Sequence, residues 1–369
     1  MRAVAQHPEA FDDLDAPVVV LGARNWIAPP AEMEWEFSSL RKTSSTRSIR
    51  GCCSLPVTRC RKGQARRVRS GSRGWVSDRG FVVLSSELLG YPSDARVLII
   101  NADDFGMYPS VNSAVVKSIE NGIVSSCSLM PPCPGARRAL ELLQERPYIP
   151  FGVHLTLVSD FATYRWDPVA PAEKVSSLLD GNGRFLPSTD QAQFLARADL
   201  DEVELELRSQ IEAVLSTGLT PTHLDWHCLA DGGRDDIFDL GMALAEEYRL
   251  AARVWLERGR RIARQQGLPV VDHTFLDSFT LDIEKKASHY LQLLHELPPG
   301  LSEWAVHPGL GDAASRRIDH GWKVRRTDLE FSTSPEAREA VGREGIVIID
   351  YGAVREAWSR RWTRDQTPG

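Results

Sequence analysis

Long apolar runs are missing from this 369-residue chain, and none approaches the roughly 18–20 residues that a membrane span requires. The opening segment, MRAVAQHPEAFDD, carries acids where a secretory signal would hold its apolar core, so export by that route is not expected. Cysteine is scarce, with six residues and no C-x-x-C pair, which argues against both a disulfide framework and a thiolate zinc site. Methionine is scarcer, and only Met33 lies between Met1 and Met107, so a form beginning near residue 90 would need a non-Met start or processing. There is no H-E-x-x-H helix motif, no glycine-rich phosphate loop and no internal repeat. The compartment that these absences favour is a reducing cytoplasm.

One stretch lacks acids altogether. Residues 41–74 hold eleven Lys or Arg and no Asp or Glu; removing them from the net charge of −6 leaves about −17 on the rest. This basic segment is rich in Ser, Arg and Gly without apolar periodicity, a composition that cannot bury enough surface to offset the entropy of ordering. Residues 1–92 are therefore expected to form a disordered extension, with an anionic-surface or nucleic-acid arm and a transit-like segment as the other readings. PVVVLG (17–22) and FVVLS (81–85) could be short strands within it, although no matching core surrounds them. Nucleic-acid binding is not expected of the acidic remainder, and a homodimer is left open. The expected organisation is an extension over 1–92, one folded domain over 93–356 and a flexible tail over 357–369.

From residue 95 onward strand-like and helix-like segments alternate. RVLIINADD has a continuous apolar run ending in acids, as a buried parallel strand does. Val111, Ala114, Val115, Ser118 and Ile119 follow at helical spacing, stopped by Asn121-Gly122. SSCSLM (125–130) reads as the next strand, 136–145 as a helix and FGVHLTL (151–157) as a third strand. An irregular stretch to about residue 196 precedes an amphipathic helix over 200–217, whose stripe is Val203, Leu207, Ile211, Val214 and Leu215. THLDW (222–226) is a short strand, 237–248 a helix, and further strands are expected near 252–255, 270–275, 304–306 and 346–349. Such alternation implies an α/β fold with a mostly parallel sheet, open or closed into a barrel.

The acids and histidines fall where such a sheet would gather them. Asp103 and Asp104 end the first strand, His154 lies in the third, His223, Asp225 and His227 bracket the fourth, and His307 follows the late strand WAV. Ligands collect beyond the carboxyl ends of parallel strands, so these residues are expected on one rim. Adjacent carboxylates raise each other's pKa unless positive charge lies beside them, and a divalent cation is a natural partner. One Asp and two His make a plausible donor set that leaves room for water and substrate. A second carboxylate could then accept a proton from the water, and a further His could give one to a leaving amine. Taken singly each residue has an ordinary alternative: a turn or cap for the Asp pair, a core histidine for His154, a loop residue for His307. His223-x-x-x-His227 lacks the Glu and the helix of a zincin pair.

The blocks LIINADDFGMYPSVNSAVVKSIENGIVSSCSLM, FGVHLTL, PTHLDWH, VHPG and GIVIIDY, taken in order, resemble the YdjC/ChbG-like carbohydrate deacetylases over about residues 95–354. That resemblance implies an irregular, TIM-barrel-like (β/α) barrel and removal of acetyl groups from N-acetylated sugars, with chito-oligosaccharides as one substrate class. It implies Asp104, His154 and His227 as ligands of one divalent ion, Mg or Zn first and Mn, Co or Ni as alternatives. It makes Asp103 the general base and His307 the proton donor or transition-state stabiliser, with His223 and Asp225 orienting a ligand. Trp166, Trp226 and Trp304 lie near these blocks and could stack on sugar rings, or simply pack in the core. One departure is Cys228-Leu229-Ala230-Asp231, where the family pattern continues with histidines; a packed thiol is the expected state of Cys228. The alternatives are metal-dependent phosphoester or sugar-phosphate hydrolysis, and a catalytically degenerate sugar-binding protein on the same fold.

Overall fold

The computed structural model of the chain describes residues 83–161 and 164–364. The strand read at 17–22 and the basic segment lie outside the described residues. The second early strand, at 81–85, does not form where it is described: Ser85–Leu88 is a short helix, tied to the body by Ser85 N donating to Asp272. Among the described residues eight strands follow: β1 Arg96–Phe105, β2 Ser126–Leu129, β3 Phe151–Leu155, β4 His223–Trp226, β5 Ala251–Ala252, β6 Leu276–Asp277, β7 Gly300–Val306 and β8 Val347–Ile349. All pair in parallel, in the order β5-β4-β3-β2-β1-β7-β6. β8 pairs with the start of β1, at Val97, Leu98 and Ile99. The result is an α/β half-barrel, a curled parallel sheet with helices between its strands, as the alternation of segments implies.

The apolar run of β1 is buried from Val97 onward, because strands of a parallel sheet are covered on both faces. The helix expected at 200–217 runs Leu200–Leu215, starting where the Asp199 carboxylate accepts from Asp201 N and Glu202 N. Its buried stripe of Val203, Leu207, Ile211 and Val214 also includes Glu206 and Gln210, whose side chains hold the loop after β3. Glu206 accepts from Val169 N and Ala170 N, and Gln210 bridges the N–H and C=O of Thr156. Two other expectations shift. The strand expected at 270–275 is irregular and pairing begins only at Leu276, since Asp272 instead turns back to bind Leu301 N and Ser85 N. The boundary expected at 356 falls inside the helix Tyr351–Arg364, which buries Trp358 and donates its indole N–H to Pro269 O at 2.9 Å. Among the described residues no helix is long and apolar enough to cross a membrane.

Candidate active site

The site begins with an irregularity in β1. Its ladder with β2 pairs Asn101 with Ser126 and Ala102 with Cys127, then resumes at Phe105 with Leu129, so the register slips across Asp103 and Asp104. Asp104 has φ 67°, the left-handed region, which costs a non-glycine residue on the order of 1–3 kcal/mol. Successive side chains of a regular strand face opposite sides. The slip instead brings both carboxylates to one ring: His154 Nε2 is 3.4 Å from Asp104 Oδ1 and 3.9 Å from Asp103 Oδ2. Bulges next to functional sites re-aim side chains in this way.

His227, just past β4, brings Nδ1 to 3.1 Å from the same Asp104 oxygen. Asp104, His154 and His227 therefore offer three buried donor atoms within 4.8 Å of one another. Tetrahedral ligands about 2.0–2.1 Å from a zinc-sized cation stand roughly 3.3 Å apart, close to the 3.1 and 3.4 Å seen here. The outer nitrogen of each ring is also engaged. His154 Nδ1 meets Asp225 Oδ1 at 2.8 Å, and His227 Nε2 meets Asp160 Oδ1 at 2.7 Å. Carboxylates behind metal-binding imidazoles fix ring orientation in the same manner.

The charge balance points the same way. Among the described residues, six buried carboxylates (Asp103, Asp104, Asp160, Asp225, Glu303 and Asp319) surround two guanidiniums, Arg253 and Arg325. Burial alone would lower the pKa of His154, but the Asp225, Asp104 and Asp103 carboxylates reverse this and push it up to about 10. Burial opposes and Asp160 and Asp104 win at His227 as well, which is also raised. Both rings are thus pushed toward their protonated forms by carboxylates, and a cation bound between them would take the place of such protons. The donor set fits a divalent ion.

Asp103 is held differently. Arg253, which follows β5, grips both of its oxygens at 2.7 and 2.9 Å, and Asn101 Nδ2 donates at 2.8 Å. Burial would raise this carboxyl, yet the guanidinium outweighs it and holds Asp103 below the usual carboxylate range. Arg253 is itself anchored by Glu303 at 2.8 Å and lies 3.1 Å from Asp225. Arg325 does the same for the neighbouring carboxylate, binding Asp104 Oδ2 at 2.7 Å and Asp319 at 2.5 Å. Asp104 is consequently held well below its ordinary value, against burial.

His307 stands just beyond β7, with Nδ1 2.8 Å from Ser278 Oγ; that hydroxyl donates in turn to Asp328 Oδ2 at 2.6 Å. His223 is fully buried beneath the rim, stacked on Tyr351 at 3.8 Å, and its Nε2 lies 3.6 Å from Asp225. Asp225 touches the His154 ring directly, whereas His223 does so only through Asp225. The tryptophans divide. Trp166 lies edge-on to His227 at 5.4 Å. Trp226 and Trp304 do not face the rim. Strand alternation turns Trp226 outward, where it packs over Gly241, and Trp304 packs beside Tyr290 at 5.5 Å. Cys228 (φ 61°) is a free thiol 3.0 Å from His227 Nε2, and burial with the Asp160 and Asp104 carboxylates pushes it well above the thiol range. It is a protonated neighbour of the rings rather than a nucleophile.

The model of the YdjC-like protein family matches residues 97–343, about two thirds of the chain and the whole of this site. This chain belongs to the YdjC-like family. It is 30% identical over 260 residues to a carbohydrate deacetylase of Thermoanaerobacter pseudethanolicus, an alignment covering 70% of this chain and all of that protein. It is 31% identical over 257 residues to a carbohydrate deacetylase of Geobacillus stearothermophilus, covering 69% and 97%. Among solved structures, an Enterococcus faecalis protein provisionally assigned to cellobiose-phosphate cleavage superimposes with a TM-score of 0.63 at 29% identity, covering 70% of this chain and 99% of that one.

In this YdjC-like chain several site residues escaped the sequence reading: Arg253, Arg325, Asp160, Ser278, Asp328 and Glu303. Arg253 and Ser278 each lie one residue past a strand, β5 and β6, so the rule that found His307 applies to them once those two-residue strands are known. Arg325 and Asp328 share the buried face of the helix Trp322–Ser332 with Val324 and Leu329. Charged residues three apart within an apolar stripe were the available signal.

Proposed function

We propose that this chain hydrolyses the acetamido group of an N-acetylated sugar or sugar-containing metabolite, with one divalent ion held by Asp104, His154 and His227. The observation that carries the reading is the ionised Asp103 carboxylate beside a three-donor cluster. Its support is alignment over that whole body with relatives that are carbohydrate deacetylases. A bound ion, Mg or Zn first and Mn, Co or Ni also suited to these donors, would supply a more acidic water and a polarised carbonyl oxygen. The remaining contributions come from side chains. Asp103 accepts a proton from the attacking water; held low by Arg253, it is a weak base that passes the proton on rather than storing it. His307 gives a proton to the departing amine. Burial of the carboxylates and rings keeps the local dielectric low, so each of these charges acts strongly.

We assign the chemistry to residues 93–356 and place the protein in a reducing cytoplasm, since Cys127, Cys133 and Cys228 are free thiols. The metal-dependent phosphoester alternative expects, beside the ion, an arginine or lysine free to meet the phosphate. Arg253 and Arg325 are both committed to carboxylates, which disfavours it. The deciding experiment is acetate release from a panel of N-acetylated sugars, including diacetylchitobiose. Metal-stripped protein is reloaded with each ion, beside Asp103→Asn and His227→Ala. Metal-dependent release lost in both variants supports the reading. Metal binding through His227 with no acetate from any sugar overturns it in favour of binding only.

A further inference from the structure

We infer that Ser278 is the positioning residue of His307, a hydroxyl that fixes which ring nitrogen exchanges protons by relaying the Asp328 carboxylate to Nδ1. The inference rests on the role proposed above for His307 and adds its polarity. Asp328 Oδ1 receives Tyr290 OH at 3.0 Å and Lys286 Nζ at 2.5 Å. Its Oδ2 receives Ser278 Oγ at 2.6 Å and the backbone N–H of His307 at 2.8 Å. Four donors converge on one carboxylate, which offers about four lone-pair positions and, ionised beside Lys286, no proton to give. The hydroxyl proton of Ser278 must therefore point at Asp328. That leaves only lone pairs on Oγ toward His307 Nδ1, 2.8 Å away, so Nδ1 carries the hydrogen. Nε2 is left as the nitrogen that gains and loses the catalytic proton. Ser278, Lys286 and Asp328 are all fully buried, and Phe279 lies edge-on to the His307 ring at 4.7 Å, so the chain of bonds is dry and the ring has little freedom. A serine between carboxylate and imidazole does what a direct carboxylate partner does elsewhere: it sets the tautomer and steadies the charged ring.

The test uses full-length protein labelled with 15N-histidine, the His307 signals being assigned by their loss in His307→Gln. The neutral ring is expected as the Nδ1–H tautomer, the opposite of free histidine, which favours Nε2–H. In Ser278→Ala the Nδ1–H signature should vanish and kcat should fall about 10–100-fold, the scale for groups that orient an active side chain, with KM and metal content unchanged. Ser278→Thr, which keeps the hydroxyl, should restore both. A wild-type ring in the Nε2–H form overturns the polarity. Ser278→Ala with wild-type kcat and tautomer overturns the positioning role. If Ser278→Ala does not fold, the wild-type spectrum alone decides. Absence of acetate release by wild-type protein would sink the deacetylase reading instead, and the spectrum would still decide the tautomer.

Discussion

Replacing Arg253 should damage stability and the acid side of the activity profile together. Its guanidinium is buried and makes two bonds to Asp103, one to Glu303 at 2.8 Å and an approach of 3.1 Å to Asp225. Arg253→Met would leave these three buried carboxylates with Asn101, Ser128, Tyr351, His154 and His223 as neighbours, none of which carries a guanidinium's fixed charge. Removing one side of a buried ion pair costs about 3–5 kcal/mol, a large share of the roughly 5–15 kcal/mol that holds a domain folded. Arg253→Lys keeps the charge but replaces a planar fork with a point, so a loss of about 1.5–3 kcal/mol is expected, the scale of a charge-assisted bond. The sign of the pH effect follows from the depressed pKa of Asp103. Asp103 accepts a proton only as a carboxylate, so activity falls on the acid side as pH drops through its pKa. Weakening the Arg253 grip lets that pKa rise, so Arg253→Lys should lose more activity at pH 5 than at pH 8. Urea unfolding and kcat/KM across pH measure the two effects. A Met variant with an unchanged unfolding midpoint, or a Lys variant with the wild-type profile, would refute the reasoning.

Three further perturbations separate structural from functional roles. Burial pushes Glu206 up to about 7, against the bonds it accepts from Gln210, Ala170 and Val169. Its folded pKa lies above its ordinary value of 4.5, so it favours the folded state below that value and this advantage is lost as pH rises to about 7. The difference in unfolding free energy between wild type and Glu206→Gln should therefore drift by about 3 kcal/mol over that window; a difference flat with pH would contradict it. Asp104→Asn, which keeps a side chain tolerant of left-handed backbone, should abolish the thermal stabilisation produced by adding divalent ion. In wild type that stabilisation is expected at about 2.7 kcal/mol when free ion is roughly 100 times its Kd, and an equal shift in the variant would remove Asp104 from the donor set. Trp358→Ala should cost about 3–5 kcal/mol as a buried aromatic truncation, whereas a negligible change in denaturation midpoint would show that the last helix contributes little.

What could be read in advance followed the one rule that parallel strands impose. His154, His227 and His307 were legible because their strands have apolar runs or distinctive neighbours, and because strand ends converge. Arg253 and Ser278 obey the same geometry, but β5 and β6 are two residues long and carry no periodicity, and the second strand was expected several residues early. Trp226 and Trp304 failed for the converse reason: closeness in sequence to Asp225 and Glu303 puts them on the opposite face of the sheet. The slip in β1 was not legible at all. An Asp-Asp pair at the end of a regular strand would point its carboxylates apart, and only the left-handed backbone at Asp104 brings both to His154.

That slip also places two identical neighbours in different surroundings. Asp103 has both oxygens bonded to one guanidinium, and on the proposed reading it receives a proton rather than holding the ion. Asp104 gives only Oδ2 to Arg325, and its Oδ1 faces the His154 and His227 rings together. The two arginines therefore sort the carboxylates: Arg253 gathers Asp103 with Asp225 and Glu303, and Arg325 gathers Asp104 with Asp160 and Asp319. Each arginine is outnumbered three to one by the acids around it, and the two histidine rings lie between the groups. Asp104 Oδ1 is the point where the two rings meet, and on the proposed reading a cation there would take the place of ring protons. On the proposed reading a cation at Asp104 Oδ1 would offset the like charges of the Asp104, Asp160 and Asp319 group, while the Asp103 group keeps its own guanidinium.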